Sequence, residues 1–232
     1  MTGVQTCALP ILTDQVTGYE KWSIRGKRKL NIIQLDLPPL VFETEGIWIR
    51  IPPEVQKAAE SRLMHFMGGI HAVEHAAIGI LPLLILTDRN DLGGISVTYH
   101  AQLGSAAVFI YDGNPGGAGL CNEAFSRARP LLESTLKIIR TCPCETGCPS
   151  CVHSPKCGSG NRPIDKDAAG FVLEAILSPE NAIKDRVSSV KIIPPTDNKK
   201  PEPPGAIPEN IRFGVLDLET QRSFQEVGGW HL

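Results

Sequence analysis

The sequence predicts an α/β (α+β) domain in which a small mixed sheet packs against helices, with a cysteine-rich zinc-binding loop and a proline-rich C-terminal linker. Apolar residues make up 42% of the 232 residues and charged residues 21%, a composition typical of a globular protein with a core. Period-two and helical apolar patterns alternate along the chain. Five of the seven cysteines lie between Cys142 and Cys157. With no secretory signal predicted, this clustering indicates a bound metal rather than a disulfide framework.

Composition and charge exclude several classes of function. The formal net charge is −2, so the chain has no overall basic surface, and contact with nucleic acid would have to come from a local patch. The longest apolar stretch, Ala76–Leu86, is interrupted by Gly79 and Pro82. It is shorter than the roughly 18 residues that a membrane span needs. We therefore expect a buried helix there, no membrane association and a cytoplasmic location.

The two ends of the chain differ from its middle. Residues 1–11 do not resemble the start of a domain and look like a translated sequencing adapter, so they are set aside. The predicted domain covers residues 12–180. Six prolines fall between positions 194 and 208 among polar residues, which predicts an extended linker over residues 181–210. Residues 211–232 are predicted to be the truncated start of a second domain.

The first predicted elements are strands. Residues 16–51 are rich in β-forming side chains. Val41–Ile51 is predicted as one strand, because Ile47, Ile49 and Ile51 follow the period of two that places side chains on one face. The two prolines that follow are expected to end this strand.

Helical spacing and turn residues predict the later elements. A helical stretch over Pro53–Leu86 is expected to break at Gly68-Gly69, since glycine disfavours a helix interior. The elements predicted after it are a polar turn (Asp88–Gly94), two paired strands (Ile95–His100 and Ala106–Tyr111), a helix (Leu120–Arg140) and a helix that Asp165 caps and that ends near Leu177.

The cysteine cluster reads CPCETGCPSCVHSPKC from Cys142 to Cys157. Zinc binds four sulfur or imidazole ligands in a tetrahedron, and a Cys-x-x-Cys turn supplies two of them. Gly147 permits the bend into that turn. Five cysteines and His153 compete for four places, and their spacing does not choose among them.

The most compact ligand set is Cys142, Cys144, Cys148 and Cys151, with Cys157 as the alternate. Four thiolates would leave no open coordination position, which predicts a structural rather than a catalytic zinc. Such a site carries negative charge, and Arg140, Lys156 and Arg162 are close enough in sequence to offset it.

Three other motifs have two interpretations each. His71-x-x-Glu74-His75 matches the inverzincin pattern, but a metallohydrolase would need a third ligand, so a hydrogen-bonding role is favoured. The glycine-rich loop Asp112–Gly119 could hold a phosphate with its amides, although close packing against a neighbouring element is favoured. The basic turn Arg25–Lys29 could contact phosphates, although a solvated hairpin tip is favoured.

The C-terminal residues carry a pair of carboxylates. Ile211–Leu218 is predicted as a strand that has no partner strand in this chain. Asp217 and Glu219 are two residues apart, so both carboxylates would lie on one face. This is a partial two-metal nuclease site, which needs further carboxylates.

Three segments together resemble a known family. They are Gly68–Ala76 (GGIHAVEHA), Tyr111–Leu120 (YDGNPGGAGL) and Cys142–Asn161 (CPCETGCPSCVHSPKCGSGN). Over about residues 14–180 the chain resembles the C-terminal region of mitomycin-repair (MrfA/YprA-like) DEAD/DEAH-box helicases, which contains their zinc-binding domain. The resemblance implies that Cys142, Cys144, Cys148 and Cys151 are the zinc ligands.

The same resemblance implies a function for the parent protein. The parent would be an ATP-dependent 3′-to-5′ DNA helicase in DNA repair, with ATP and Mg²⁺ bound by motor domains of the same chain and with single-stranded DNA as partner. The motor is missing here, because no Gly-x-x-x-x-Gly-Lys-Ser/Thr motif occurs. This chain alone is therefore not expected to be catalytic, and the domain is predicted to be an accessory one.

The tail has its own resemblance, and two competing functions stay open. The run LDLETQRSFQEVGGWH resembles the opening of a YprB-like RNase H-fold (DEDD-type) exonuclease, which the resemblance implies as a partner. The chain could instead be a structural zinc-dependent protein-interaction module, or a fragment of a DEDD-type 3′-to-5′ exonuclease.

Overall fold

The structure, a computed structural model, describes residues 10–25 and 28–178, together with the backbone of two short strands near the C-terminus. The predicted α+β class is confirmed. The predicted linker over residues 181–210 lies outside the described residues. The strands are β1 (Ile11–Asp14), β2 (Gly18–Trp22), β3 (Lys29–Gln34), β4 (Leu40–Glu43), β5 (Gly46–Ile51), β6 (Leu92–His100), β7 (Ser105–Asp112), β8 (Ile211–Arg212) and β9 (Asp217–Glu219), and the helices are α1 (Pro53–Ser61), α2 (Phe66–Leu84), α3 (Leu120–Ser126), α4 (Ala128–Thr141) and α5 (Lys166–Leu177).

The centre of the domain is a four-stranded antiparallel sheet in the order β6-β7-β5-β8. All eight residues of β7 are buried, as expected for a strand that is covered on both faces. The predicted alternation in β5 is confirmed, because Ile47, Ile49 and Ile51 are all buried and pack with the helices. Trp48 points to the opposite face and packs with Leu12 of β1. The sheet therefore separates a helical layer from a second layer of strands.

The second layer of strands is small. β1 pairs with β4 in antiparallel fashion and with β9 in parallel fashion, which gives the order β4-β1-β9. β2 and β3 form a separate antiparallel hairpin. β1 begins at Ile11, although residues 1–11 were not expected to belong to the domain.

Helix α2 is the core of the helical layer. It packs against β6, α4 and α5. Contrary to the expectation that no apolar stretch is long enough, α2 has the length and composition to cross a membrane, but 67% of its most apolar window is buried inside this domain. That burial is typical of the core helix of a globular domain.

The predicted break in the first helical stretch is in the wrong place. The chain leaves the helix between α1 and α2, where Leu63 has a φ of 60°, and α2 continues through Gly68-Gly69. The reason is the close approach of α5: a β-carbon at Gly69 would lie 2.7 Å from the β-carbon of Ala168. The two glycines therefore serve helix packing rather than a break.

Two further predicted elements are each divided in the structure. Val41–Ile51 is two strands rather than one, because buried Thr44 turns away and its hydroxyl donates to the carbonyls of Asp112 (2.7 Å) and Asn114 (3.0 Å). The predicted helix Leu120–Arg140 is divided at Arg127 into α3 and α4.

The pairing predicted between the strands that are β6 and β7 is confirmed, and so is the cap at Asp165, whose carboxylate accepts from the amide of Ala168 at 2.9 Å.

The expectation that the C-terminal strand has no partner is wrong. In place of one strand over Ile211–Leu218, the structure has β8, which pairs with β5, and β9, which pairs with β1. The sequence could not reveal this, because a strand's partner depends on which sheet edge is open.

The glycines of α2 provide a test of the helix packing. Gly69→Ala is expected to lower the free energy of unfolding by about 1–2 kcal/mol, since the added methyl group collides with Ala168 and overpacking outweighs the gain in helix propensity. Gly79→Ala is the matched control, because Gly79 is exposed in the same helix and is expected to gain about 0.5–1 kcal/mol. Denaturant unfolding followed by circular dichroism measures both, and equal effects would contradict the packing argument.

Candidate metal centre

The cysteine-rich loop connects the end of α4 to the start of α5. It begins at Cys142, whose amide donates to the carbonyl of Ile138 at 3.1 Å and so ends the helix. Farther on, the amides of Cys151, Val152 and His153 all donate to the carbonyl of Cys148, at 3.0 to 3.2 Å. A single oxygen with three donors folds this segment into one tight turn.

Gly147 allows the chain to enter that turn, as predicted. Its φ is 118°, in a region that side chains disfavour. A β-carbon there would also lie 2.5 Å from Cγ2 of Val152, which is fully buried. The turn is therefore anchored by an apolar side chain that only glycine lets approach.

Four thiols converge at the start of this loop. Their sulfur atoms all lie within 4.8 Å of one another, and the four closest Sγ–Sγ distances are 3.4 to 3.7 Å. A tetrahedral zinc ion with bonds of about 2.3 Å to sulfur separates its ligands by about 3.8 Å. The arrangement therefore has the dimensions of one tetrahedral ligand shell. We call it the four-cysteine cluster, which consists of Cys142, Cys144, Cys148 and Cys151.

The four-cysteine cluster sits at the edge of the main core rather than on an isolated loop. Cys151 is buried, and the other three thiols are partly buried against the same group of apolar side chains. Val152, the residue after Cys151, is 0% exposed, and its carbonyl accepts a hydrogen bond from Nδ1 of His75 at 2.9 Å. The cluster is thus joined to helix α2 by packing and by a buried hydrogen bond.

A buried cation, Lys166, lies beside the four-cysteine cluster, and the sequence did not reveal it. Its ammonium donates to the carbonyls of Cys142 (2.7 Å) and Cys144 and lies 3.4 Å from the sulfur of Cys144. Lys166 is buried at the first position of α5, where Asp165 caps the helix. Its sequence signal was only a lysine directly after a predicted cap, which does not show where the side chain points.

The three cations predicted for that role lie against other groups. Arg140 donates to Glu174 of α5 at 2.7 Å. Lys156 donates to backbone carbonyls at the start of β6, including that of Leu92 at 3.3 Å. Arg162 lines the cavity described below. Proximity in sequence was a poor guide, because these side chains are next to other partners in the fold.

The thiols of the four-cysteine cluster differ in acidity. Burial acts to raise the pKa of Cys144, but hydrogen bonds from the other three thiols and from Lys166 outweigh it and lower the pKa to about 6. Burial is the main cause that raises the pKa of Cys151 to about 12. The lowered pKa of Cys144 favours the thiolate, the form that binds metals, next to the ammonium group of Lys166.

Cys157, the alternate ligand, lies outside the four-cysteine cluster. Its sulfur is 3.4 Å from Nε2 of His71, and the ligand atoms of His71, His75 and Cys157 lie within 4.8 Å of one another. Burial acts to raise the pKa of Cys157, but hydrogen bonds from His71, His75 and Ser159 lower it to about 4. The pKa of His71 is raised: burial opposes the rise, but the hydrogen bond with Cys157 is its main cause.

Backbone amides in and after the glycine-rich loop donate to the carboxylate of Asp112, which begins the loop. Asp112 is fully buried and accepts from the amides of Ala118 (2.7 Å), Leu120 (3.1 Å) and Cys121 (2.9 Å). Gly117 has a φ of 74° and no room for a side chain beside Glu45. The structure therefore favours close packing over phosphate binding.

The tip of the basic turn, residues 26–27, lies outside the described residues.

The chain is similar in sequence to known proteins. The family model for the MrfA Zn-binding domain matches residues 73–152, a range that includes the whole four-cysteine cluster. An uncharacterized protein of Methanocaldococcus jannaschii is 40% identical over 112 residues, which are 47% of this chain and 100% of that protein.

Longer relatives also match. ATP-dependent helicase HRQ1 of Saccharomyces cerevisiae is 29% identical over 65% of this chain and 15% of its own length. Uncharacterized ATP-dependent helicase YprA of Bacillus subtilis is 34% identical over 51% of this chain and 15% of its own length. This chain thus spans a small part of the helicases that it matches. The crystal structure of the DUF1998 helicase MrfA bound to DNA has a TM-score of 0.44 and 22% identity, over 72% of this chain and 25% of that chain.

Lys166 provides a test of how the thiolates are held. Lys166→Gln is expected to weaken zinc binding about 10–100-fold, as is typical when a residue that supports a ligand is lost. Its loss should raise the pKa of Cys144, so zinc should be released at a higher pH than from the unchanged protein, because protons compete for the thiolates. Chelator competition over a range of pH measures this. Lys137→Gln, at an exposed position of α4, should leave the affinity unchanged.

Proposed function

The chain belongs to the MrfA Zn-binding domain family, and on this premise we propose that it is a structural zinc-binding accessory domain from the C-terminal region of an ATP-dependent DNA helicase. The observation that carries the proposal is the four-cysteine cluster, in which four thiols of one short loop reach distances that suit a single tetrahedral ion.

In this proposal the zinc ligands are Cys142, Cys144, Cys148 and Cys151. Four sulfur donors are the set that zinc prefers in structural sites, and they leave no position for a substrate. The bound ion would supply a cross-link between the end of α4 and the turn at Cys148. This cross-link matters because the loop has few apolar side chains of its own, and its fold depends on ties to α2 and α5.

The helicase part of the proposal rests on the relatives. Both longer relatives described above are named as ATP-dependent helicases, and this chain covers 15% of each. We place ATP and Mg²⁺ in motor domains of the same parent chain, which would translocate 3′ to 5′ along single-stranded DNA in DNA repair. The domain would brace the motor and help to hold the strand, in the cytoplasm.

The domain boundaries form part of the same proposal. Residues 12–180 would be the helicase C-terminal domain and residues 181–210 a linker. Residues 211–232 would open a YprB-like RNase H-fold exonuclease, with Asp217 and Glu219 as its first metal-binding carboxylates. The assignment relies on the spacing of these two carboxylates, since residues two apart in a strand lie on one face.

Replacing Cys148 tests the zinc site. In the full 232-residue chain, Cys148→Ser is expected to lose one zinc equivalent by elemental analysis and to lower the melting temperature, because a structural zinc contributes its binding energy to folding. Cys121→Ser is the control, since Cys121 is buried but lies outside both metal-binding groups. Retention of full zinc content by Cys148→Ser would exclude this ligand set.

The same pair of variants in the full-length parent separates a helicase role from that of an interaction module. Cys148→Ser is expected to reduce strand unwinding and salt-dependent binding of single-stranded DNA, while Cys121→Ser retains both. Unwinding and DNA binding at the unchanged level, together with loss of a protein partner, would support a zinc-dependent interaction module instead.

A longer chain tests the assignment of the tail. A chain that continues past Leu232 is expected to cleave single-stranded DNA from its 3′ end when Mg²⁺ or Mn²⁺ is present. Asp217→Asn should abolish cleavage because it removes a metal ligand, whereas Glu226→Gln should not. Cleavage by the Asp217→Asn variant would contradict the assignment.

A further inference from the structure

A second group of metal-binding side chains lies apart from the four-cysteine cluster. His71 and His75 are one turn apart on α2, and Cys157 approaches them from the end of the cysteine-rich loop. In the sequence alone, the two histidines lack the third ligand that a metal site would need. The structure supplies that ligand from a position 86 residues away in the chain.

The distances within this group suit a common ion. The sulfur of Cys157 is 3.4 Å from Nε2 of His71, and all three ligand atoms lie within 4.8 Å of one another. Zinc bonds of about 2.3 Å to sulfur and 2.0–2.1 Å to nitrogen place tetrahedral neighbours about 3.6 Å apart. Both imidazoles are buried, with ring centroids 4.3 Å apart, so the packing of α2 fixes their positions.

The hydrogen bonds of the two histidines orient them as metal ligands. Nδ1 of His71 donates to the carbonyl of Pro163 at 2.8 Å, and Nδ1 of His75 donates to the carbonyl of Val152 at 2.9 Å. A carbonyl oxygen can only accept, so each Nδ1 carries the hydrogen. In the neutral ring, Nε2 then offers its lone pair to the space that Cys157 faces. Metal-binding histidines typically have this second hydrogen bond.

The loop around Cys157 prepares its sulfur to act as a thiolate. The amide of Asn161 donates to the sulfur at 3.3 Å, and the hydroxyl of Ser159 lies 3.1 Å from it. Asn161 is in turn fixed by two hydrogen bonds with the backbone of Ser154, at 2.7 and 3.1 Å. Donors directed at a sulfur stabilise its charged form, which is the form that binds metals.

The three side chains leave one side of the group open. His71, His75 and Cys157 all line a cavity of about 740 Å³, to which Glu74 also contributes. Oε2 of Glu74 accepts from the hydroxyl of Ser96 at 2.7 Å. A site with three protein ligands and an open fourth position is typical of zinc that binds water or another exchangeable ligand.

We propose that His71, His75 and Cys157 bind a second zinc ion, with the fourth position open to the cavity and filled by water or another exchangeable ligand. This second ion uses no ligand of the four-cysteine cluster. Unlike the ion of that cluster, it would be accessible from the cavity. The second ion would join α2 to the end of the cysteine-rich loop near Cys157. The first ion would join Cys142 and Cys144, at the start of the loop, to the turn at Cys148 and Cys151.

Metal counting on the full 232-residue chain tests the proposal. The unchanged protein is expected to bind two zinc ions per chain, and Cys157→Ser is expected to bind one. His153→Gln is the matched control, because His153 lies in the same loop but outside both groups, and it should still bind two. A single zinc ion in the unchanged protein that Cys157→Ser also retains, or two zinc ions in Cys157→Ser, would overturn the proposal.

Cobalt shows which site a variant has lost. Tetrahedral Co²⁺ absorbs in the visible range, and the charge-transfer absorption from sulfur grows with the number of thiolates. Cys157→Ser should keep the strong absorption of a four-thiolate site, and Cys148→Ser should keep only the weaker absorption of a site with one thiolate. If Cys148→Ser retains one ion and Cys157→Ser retains none, the proposal for the four-cysteine cluster fails and this one stands.

Differential alkylation tests the second site without any variant. In the zinc-loaded protein, Cys157 is expected to be protected from iodoacetamide, and a chelator that removes the accessible ion should expose it before the four-cysteine cluster. Peptide mapping by mass spectrometry assigns each labelled cysteine. Rapid labelling of Cys157 in protein that holds two zinc ions would contradict its role as a ligand.

Discussion

The organisation of this domain depends on how a loop with little apolar material is held against a buried helix. The loop from Cys142 to Pro163 carries few side chains that could fold it by burial. Its carbonyl oxygens supply the ties instead, because those of Val152 and Pro163 accept from the two histidines of α2. Lys166 donates to two further carbonyls at the proximal end of the loop. Such buried hydrogen bonds are costly to leave unmade, so each one restricts the loop to a single path.

This constraint connects the fold to the metal chemistry. A helix that is apolar on nearly every side can lie at the centre of the domain only if its polar residues find partners there. His71, Glu74 and His75 are all buried in α2, and each has a hydrogen-bond partner from another segment. The same hydrogen bonds that satisfy the imidazoles also point their free nitrogen atoms at Cys157. The packing of α2, the hydrogen bonding of its buried histidines and their orientation toward Cys157 thus depend on one another.

Much of the fold was predictable from local patterns. The alternation of Ile47, Ile49 and Ile51 identified a strand with one face on the core, and Asp165 identified the start of α5. The errors arose where a local rule competed with a tertiary contact. Gly68-Gly69 has the composition of a helix break, but the close approach of Ala168 uses the absence of side chains for packing. The C-terminal strand was predicted to lack a partner, since no local pattern shows which sheet edges are open.

The sequence by itself determined that thiols meet in this loop, because five cysteines lie between Cys142 and Cys157 and Gly147 permits the turn, although the spacing did not choose which four form the cluster. The short segments between these cysteines keep their thiols close together, so the spacing predicts that thiols converge in this loop. Only the tertiary structure decided the place of Cys157, the role of Lys166 and the pairing of His71 with a sulfur. Those contacts join residues 22 to 86 positions apart. Long-range contacts of this kind depend on helix packing and on the path of a loop, and neither is encoded in the spacing of the residues that meet.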